Sequence, residues 1–190
     1  MRPVIVQEFV TLDGVMQAPG DAHDHPAAGW QHQFVGEDHI RLIVEQMREA
    51  DALLLGRTTY QEFAAVWPHT RDTIGLAERM NEMPKFVAST TLSRVSWNAS
   101  LLRGDVASAV GQLKESPGNG LVVVGSRKLA TYLHQHDLVD EYRLWLHPVI
   151  VGSGDRLFEE GLNPTTWHLF DVESTGEGVL VATYRRRPRR

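Results

Sequence analysis

Cysteine is absent from the 190 residues. Disulfides, thiol nucleophiles and cysteine-ligated metals are therefore excluded. No apolar stretch approaches the roughly 18 residues of a membrane-spanning helix. Met1 to Gln7 lacks the apolar core and small-residue cleavage site of a secretory leader. A cytoplasmic protein without membrane contact is the expectation. Positive charge is not in excess: the net charge is -5. That argues against nucleic acid as a partner, because nucleic-acid binders carry a basic face. Only the terminal run Arg185-Arg186-Arg187-Pro188-Arg189-Arg190 is strongly basic, and it reads as a solvated tail, since chain ends are usually poorly ordered. The glycine fingerprint of dinucleotide-binding βαβ units and the P-loop pattern are both missing.

What remains is an ordinary globular composition, 42% hydrophobic and 23% charged, in a chain long enough for one sizeable core. A single domain over residues 1–184 with a basic tail at 185–190 is expected. Val4 to Phe9 reads as a strand. Gly14 to Gln33, rich in Gly, Pro, Asp and His, reads as a long loop of the kind that is usually functional or mobile. Ile40, Ile43, Val44 and Met47 make one face of a helix over Asp38 to Arg48. Asp51 separates that helix from the apolar run Ala52 to Leu55, which suits a strand buried on both faces of a parallel sheet. Lys85 to Ala88 and Leu121 to Val124 read as further strands, and Ala107 to Lys114 and Lys128 to His134 as helices. Glu141 to Val151 and Val179 to Tyr184 read as long strands that pair antiparallel. The fold class is α/β, with a mixed, mostly parallel central sheet and antiparallel C-terminal strands.

Three strands run into similar residues: Leu55 into Gly56-Arg57-Thr58-Thr59, Ala88 into Ser89-Thr90-Thr91, and Val124 into Gly125-Ser126-Arg127-Lys128. Ligands of open α/β sheets bind beyond the carboxyl ends of strands. Glycine admits close backbone approach, Arg57 offers a forked donor to a phosphate, and a helix N-terminus after Gly125 favours a pyrophosphate. Any one of these ends could be a plain turn or cap. Together they describe a site for a nucleotide with more than one phosphate group.

With Thr11-Leu12-Asp13-Gly14 after the first strand, Leu55-Gly56-Arg57-Thr58-Thr59-Tyr60, Val124-Gly125-Ser126 before a helix, Leu138 to Tyr142, and His147 to Gly154, the chain resembles the dihydrofolate reductase superfamily. It is most similar to the reductase domain of the bifunctional riboflavin-biosynthesis deaminase-reductase. The resemblance implies a dihydrofolate-reductase-like three-layer fold and NADPH lying across the strand ends. Arg57, Ser89 and Thr90 would then hold the 2′-phosphate. Thr58 and Thr59 would meet the pyrophosphate from one side, Gly125 and Ser126 from the other, with Gly56, Lys128 and Leu129 lining the groove. The family often has further glycine where this chain has Ser126-Arg127.

The same resemblance implies an NADPH-dependent reductase of a small heterocycle, either a pyrimidine precursor of riboflavin or a pterin. It places Asp13 near the nicotinamide, although Asp-Gly is also a common turn. It offers Asp38, beside Glu37, as a helix carboxylate donating the proton, with water as the alternative source. It matches Trp30 to a substrate-pocket tryptophan or a loop anchor. His23-Asp24-His25 lacks a spaced third ligand, so no metal is expected. A homodimer is implied, with Trp145 and Trp167 near its interface. The rival is a nucleotide- or flavin-binding protein that kept the fold without catalysis.

Overall fold

The first apolar run folds as strand β1 (Val4–Thr11) in a computed structural model that describes residues 1–20 and 25–187. Its period of two sorts the side chains between the faces of a sheet. Val4, Val6 and Val10 enter one buried cluster, and Ile5 enters another. After a 3-10 turn at His32–Phe34 come helix α1 (Glu37–Glu49), β2 (Ala50–Gly56), α2 (Arg57–Val66) and α3 (Leu76–Glu82). β3 (Lys85–Ala88), β4 (Ala99–Leu101), α4 (Val106–Glu115), β5 (Gly120–Val124) and α5 (Arg127–Gln135) follow. β6 (Glu141–His147), β7 (Trp167–Ser174) and β8 (Leu180–Arg186) end the order.

The sheet runs β4-β3-β2-β5-β1-β6-β8-β7. Every pairing from β4 through β6 is parallel, and those of β8 with β6 and β7 are antiparallel. On one face, Leu121 and Val123 pack with Val110 of α4 and Leu129 and Leu133 of α5. On the other, Leu53, Leu55 and Val122 pack with Met47 of α1, Tyr60 of α2 and Met80 of α3. The result is three layers, as expected. β2 and β5 lie inside the sheet and are read correctly from their unbroken apolar runs, because both faces are covered.

Some boundaries differ from expectation. The strand expected over Glu141 to Val151 ends at His147, where Pro148 has no N–H to continue the ladder. β2 takes in Asp51 rather than starting after it. The Asp51 carboxylate pairs with Arg2 and accepts the Asn119 N–H at 2.8 Å. β4, α3 and β7 carry no clear periodic signal. β7 is an edge strand exposing Leu169, Phe170 and Val172, so consecutive positions carry apolar side chains and no alternation is visible. Trp145 is fully buried, with its Nε1 donating to Gln46 Oε1 at 3.0 Å. It belongs to the core and has no surface to offer an interface.

Arg185 and Arg186 lie in β8, ion-paired with Glu141 and Asp137 respectively. Pro188 to Arg190 and His23-Asp24 fall outside the described residues. Among the described residues no helix is long and apolar enough to cross a membrane.

Leu54 is fully buried in β2, within the cluster under α4 and α5. Leu54→Ala is expected to lower the unfolding free energy by about 2–5 kcal/mol, the range for a cavity of this kind. Urea unfolding checks this, and an unchanged midpoint would contradict it.

Candidate functional site: a cleft across the strand ends

Strands β3, β2, β5 and β1 are parallel, and a cleft of about 1070 Å³ lies beyond their carboxyl ends. Ligand pockets commonly measure roughly 300–1,000 Å³, so this cleft stands at the upper end of that range. The cleft gathers Gly56, Arg57, Thr58 and Thr59, then Ser89 and Thr90, then Gly125, Ser126, Lys128 and Leu129. These are all ten positions that the resemblance offers to a cofactor.

The turn after β5 is built for close approach. Gly125 and Ser126 both have a φ of 59°, in the left-handed region. A Cβ at Gly125 would stand 3.1 Å from Thr59 Oγ1. Ser126 tolerates this backbone because it is held from two sides. Its N–H donates to Thr59 Oγ1 at 3.0 Å, and its Oγ accepts the Gly56 N–H at 2.9 Å. The Thr59 hydroxyl is thus committed to the turn and is 9% exposed with its residue, whereas Thr58 is exposed at the cleft.

Helices α2 and α5 both begin at the cleft without a side-chain cap. Their first-turn N–H groups and helix dipoles favour an anion there. Three cations line the cleft. Arg127 is spent on Asp155, 3.3 Å away, and on Glu159. Arg57 and Lys128 have no partner among the described residues and stand exposed.

Two further lining residues, Gln7 and Glu8, interrupt the apolar strand β1 at positions only 2% and 4% exposed. They carry no motif. The signal they offer in sequence is a polar pair inside a buried strand, where unpaired polar groups are costly. Glu8 Oε2 accepts the Gly125 N–H at 3.0 Å, and its Oε1 has no partner. Burial pushes the Glu8 pKa well above its ordinary 4.5, with the Gly125 N–H acting in the opposite sense.

A model of the RibD C-terminal domain matches residues 2–181. The chain belongs to the RibD C-terminal domain family. It is similar to the uncharacterized proteins YyaP and YwjB of Bacillus subtilis (strain 168), at 24% identity each. The first alignment covers 96% of this chain and 94% of YyaP, the second 95% of this chain and 96% of YwjB. Among solved structures, a protein of Shewanella sp. PV-4 assigned to riboflavin biosynthesis superposes with a TM-score of 0.73 at 20% identity, covering 98% of this chain and 99% of the other. A pyrimidine reductase-like protein of Corynebacterium diphtheriae superposes with a TM-score of 0.69 at 12% identity, covering 99% and 93%. These likenesses establish the fold.

Within this RibD C-terminal domain, Asp13, Asp38 and Trp30 do not line the cleft. The Asp13 carboxylate accepts the Thr11 hydroxyl at 2.6 Å and the Gly152 and Val151 N–H groups at 2.9 and 3.3 Å. The Thr11 hydroxyl foremost, with those N–H groups, holds its pKa below the ordinary value. It ties the loop after β6 to the end of β1. Asp38 sits on the outer first turn of α1 with its side chain 51% exposed, 3.7 Å from Arg41. The residues α1 turns to the cleft are Ile43 and Met47. Trp30 is a loop anchor, 5% exposed, its Nε1 donating to Gln17 O at 2.8 Å and its ring edge-on to His147 at 5.0 Å. Burial pushes His147 down to about 4, so that ring is neutral in the aromatic cluster. Among the described residues no group of three or more His, Asp or Glu lies together as a metal site.

Glu8 binds its proton more tightly in the folded chain than in the unfolded one. Its contribution to stability is full below about pH 4.5 and is lost as pH rises through the folded value. Glu8→Gln keeps an acceptor for the Gly125 N–H and removes that loss. Thermal unfolding is expected to show the variant above wild type near pH 8, with the gap closing toward about pH 4. A gap that widens on acidification would mean that the ionised carboxylate is the stabilising form.

Proposed function

We propose that this chain is an NADPH-dependent reductase of a small heterocyclic substrate, a pyrimidine related to riboflavin precursors or a pterin. One observation carries the reading: residues from three separate strand ends converge on a single cleft, with two uncapped helix N-termini and unpaired cations among them. The family, and the names of the similar structures from Shewanella and Corynebacterium, support the reductase class.

The donor set fits the cofactor. Arg57, Ser89 and Thr90 would hold the 2′-phosphate, since a guanidinium with hydroxyls beside it matches a phosphate monoester. Thr58 with the first turn of α2, and Gly125 with the first turn of α5, would hold the pyrophosphate from opposite sides. Lys128 adds charge, and Leu129 an apolar wall. NADPH, when bound, supplies a hydride for a C=N or C=O group. The protein's part is to align the two molecules and exclude bulk water. With Asp38 outside the cleft, water is the proton source in this reading.

That same absence of Asp13 and Asp38 from the cleft favours a second reading, nucleotide binding without turnover. Oxidation of NADPH in the presence of a dihydropterin or an aminopyrimidine separates the two. A homodimer completes the proposal: the edge strand β7 presents Leu169, Phe170 and Val172, a surface that invites pairing. Light scattering on the eluted protein is expected to give twice the chain mass, and a monomer would refute it.

NADPH is expected to bind more tightly than NADH, with tryptophan fluorescence as the readout. Arg57→Ala is expected to weaken NADPH by about 1.5–3 kcal/mol, the scale of a charge-assisted hydrogen bond, and to leave NADH nearly unchanged. Equal losses for both would overturn the 2′-phosphate assignment, and no binding of either would overturn the cofactor.

A further inference from the structure

The cleft has two unlike walls. Toward α5 and the loop after β3 it carries hydroxyls and the free cations Arg57 and Lys128. Against α1, the C-terminal half of α2 and α3 it is largely apolar. Ile43 and Met47 of α1, Phe63 and Trp67 at the end of α2, and Leu76 and Met80 of α3 all belong to one packed cluster and turn their free edges to the cleft. The Phe63 and Trp67 rings meet edge to face at 6.2 Å. Aromatic faces and edges exposed in this way suit packing against a planar ring system.

Beyond Arg57 in the first turn of α2, the described lining residues of α1, α2 and α3 include no Lys, Arg or His, and the acidic Glu62 lies among them. A phosphate placed among these described side chains would give up hydration without gaining a cation. Two neutral amides also reach the chamber. Gln7 rises from β1, and Gln31 comes from the loop before α1. The Oε1 atoms of both are buried without a hydrogen-bond partner. Buried unpaired amide oxygens are uncommon in folded proteins. Two of them lining one chamber call for a ligand that donates N–H groups, and an amide can answer a neighbouring carbonyl with its own NH₂.

We propose that the α1–α2–α3 side of the cleft takes an uncharged, phosphate-free planar nitrogen heterocycle, with its N–H and C=O edge read by the side-chain amides of Gln7 and Gln31. Gln7 and Gln31 are then the specificity-determining residues, and the phosphate-binding groups of the opposite wall serve the cofactor alone. This deepens the reductase reading and rests on it for the role of the other wall.

The test uses a matched pair, a hydroxymethyl-dihydropterin and its phosphate monoester, titrated into the protein saturated with NADP⁺ and followed by tryptophan fluorescence. The neutral compound is expected to bind more tightly than its phosphate ester by roughly tenfold or more, and Gln7→Leu and Gln31→Leu each to weaken it by roughly tenfold, with NADP⁺ affinity unchanged. Equal or tighter binding of the ester overturns the proposal, as does no binding of either compound. A loss in the variants that falls on NADP⁺ instead of the pterin also overturns it. Because the pair is titrated into the wild-type protein, misfolding of a variant does not obscure the outcome. The titration is repeated without NADP⁺. If NADP⁺ does not bind while the neutral compound still outcompetes its ester, the cofactor reading fails and the chamber's chemistry stands.

Discussion

Ser126 gives one hydrogen bond and takes another between the turns that follow the neighbouring strands β2 and β5. Its N–H reaches Thr59 and its hydroxyl receives the Gly56 N–H. Each bond joins one strand-to-helix crossover to the other, so the two turns are fixed as a unit. The left-handed backbone at Ser126, unfavourable by about 1–2 kcal/mol for a residue with a Cβ, persists because both bonds would be lost without it. Commitment of these side chains to each other leaves the first turns of α2 and α5 uncapped and facing the cleft. The two uncapped helix starts at the cleft follow from that one clasp. Glu8 completes it from below by accepting the Gly125 N–H.

The covering loops depend on a second set of polar contacts. Asp13 gathers N–H groups from the loop after β6, while Arg156 Nε donates back to Asp13 O at 2.9 Å. Trp30 pins the loop before α1 to Gln17 and to the buried His147. Acidic and aromatic residues near a site can thus serve its walls, and only their partners tell this from chemistry. Asp13 has backbone partners that satisfy it, whereas Gln7 Oε1, Gln31 Oε1 and Glu8 Oε1 have none.

The central strands and the helices that cross between them were legible because their apolar patterns match the burial they receive. β2 and β5 show unbroken runs, whereas α1 buries His39, Leu42 and Met47 and leaves Ile40, Ile43 and Val44 of the expected face only half-buried. β7 was not legible, since an edge strand exposed along most of its length has no buried face to impose a period. α3 is too short to display one. The polar wall of the cleft was legible as three strand ends of one chemical type. The opposite wall was not, because Phe63, Trp67, Leu76 and Met80 look like any core residues until the turn of each helix shows which edges stay uncovered.

The sequence by itself determined the fold class, the parallel centre with its antiparallel end, and the strand ends that gather at the cleft, because periodicity and strand-end composition are local properties of the chain. Tertiary structure alone decided that Asp13 and Trp30 brace loops, that Asp38 faces solvent, and that Gln7 and Glu8 open on the cleft with unpaired oxygens. Those outcomes depend on which groups from distant segments arrive to satisfy or abandon a polar atom, and no spacing within the chain encodes that.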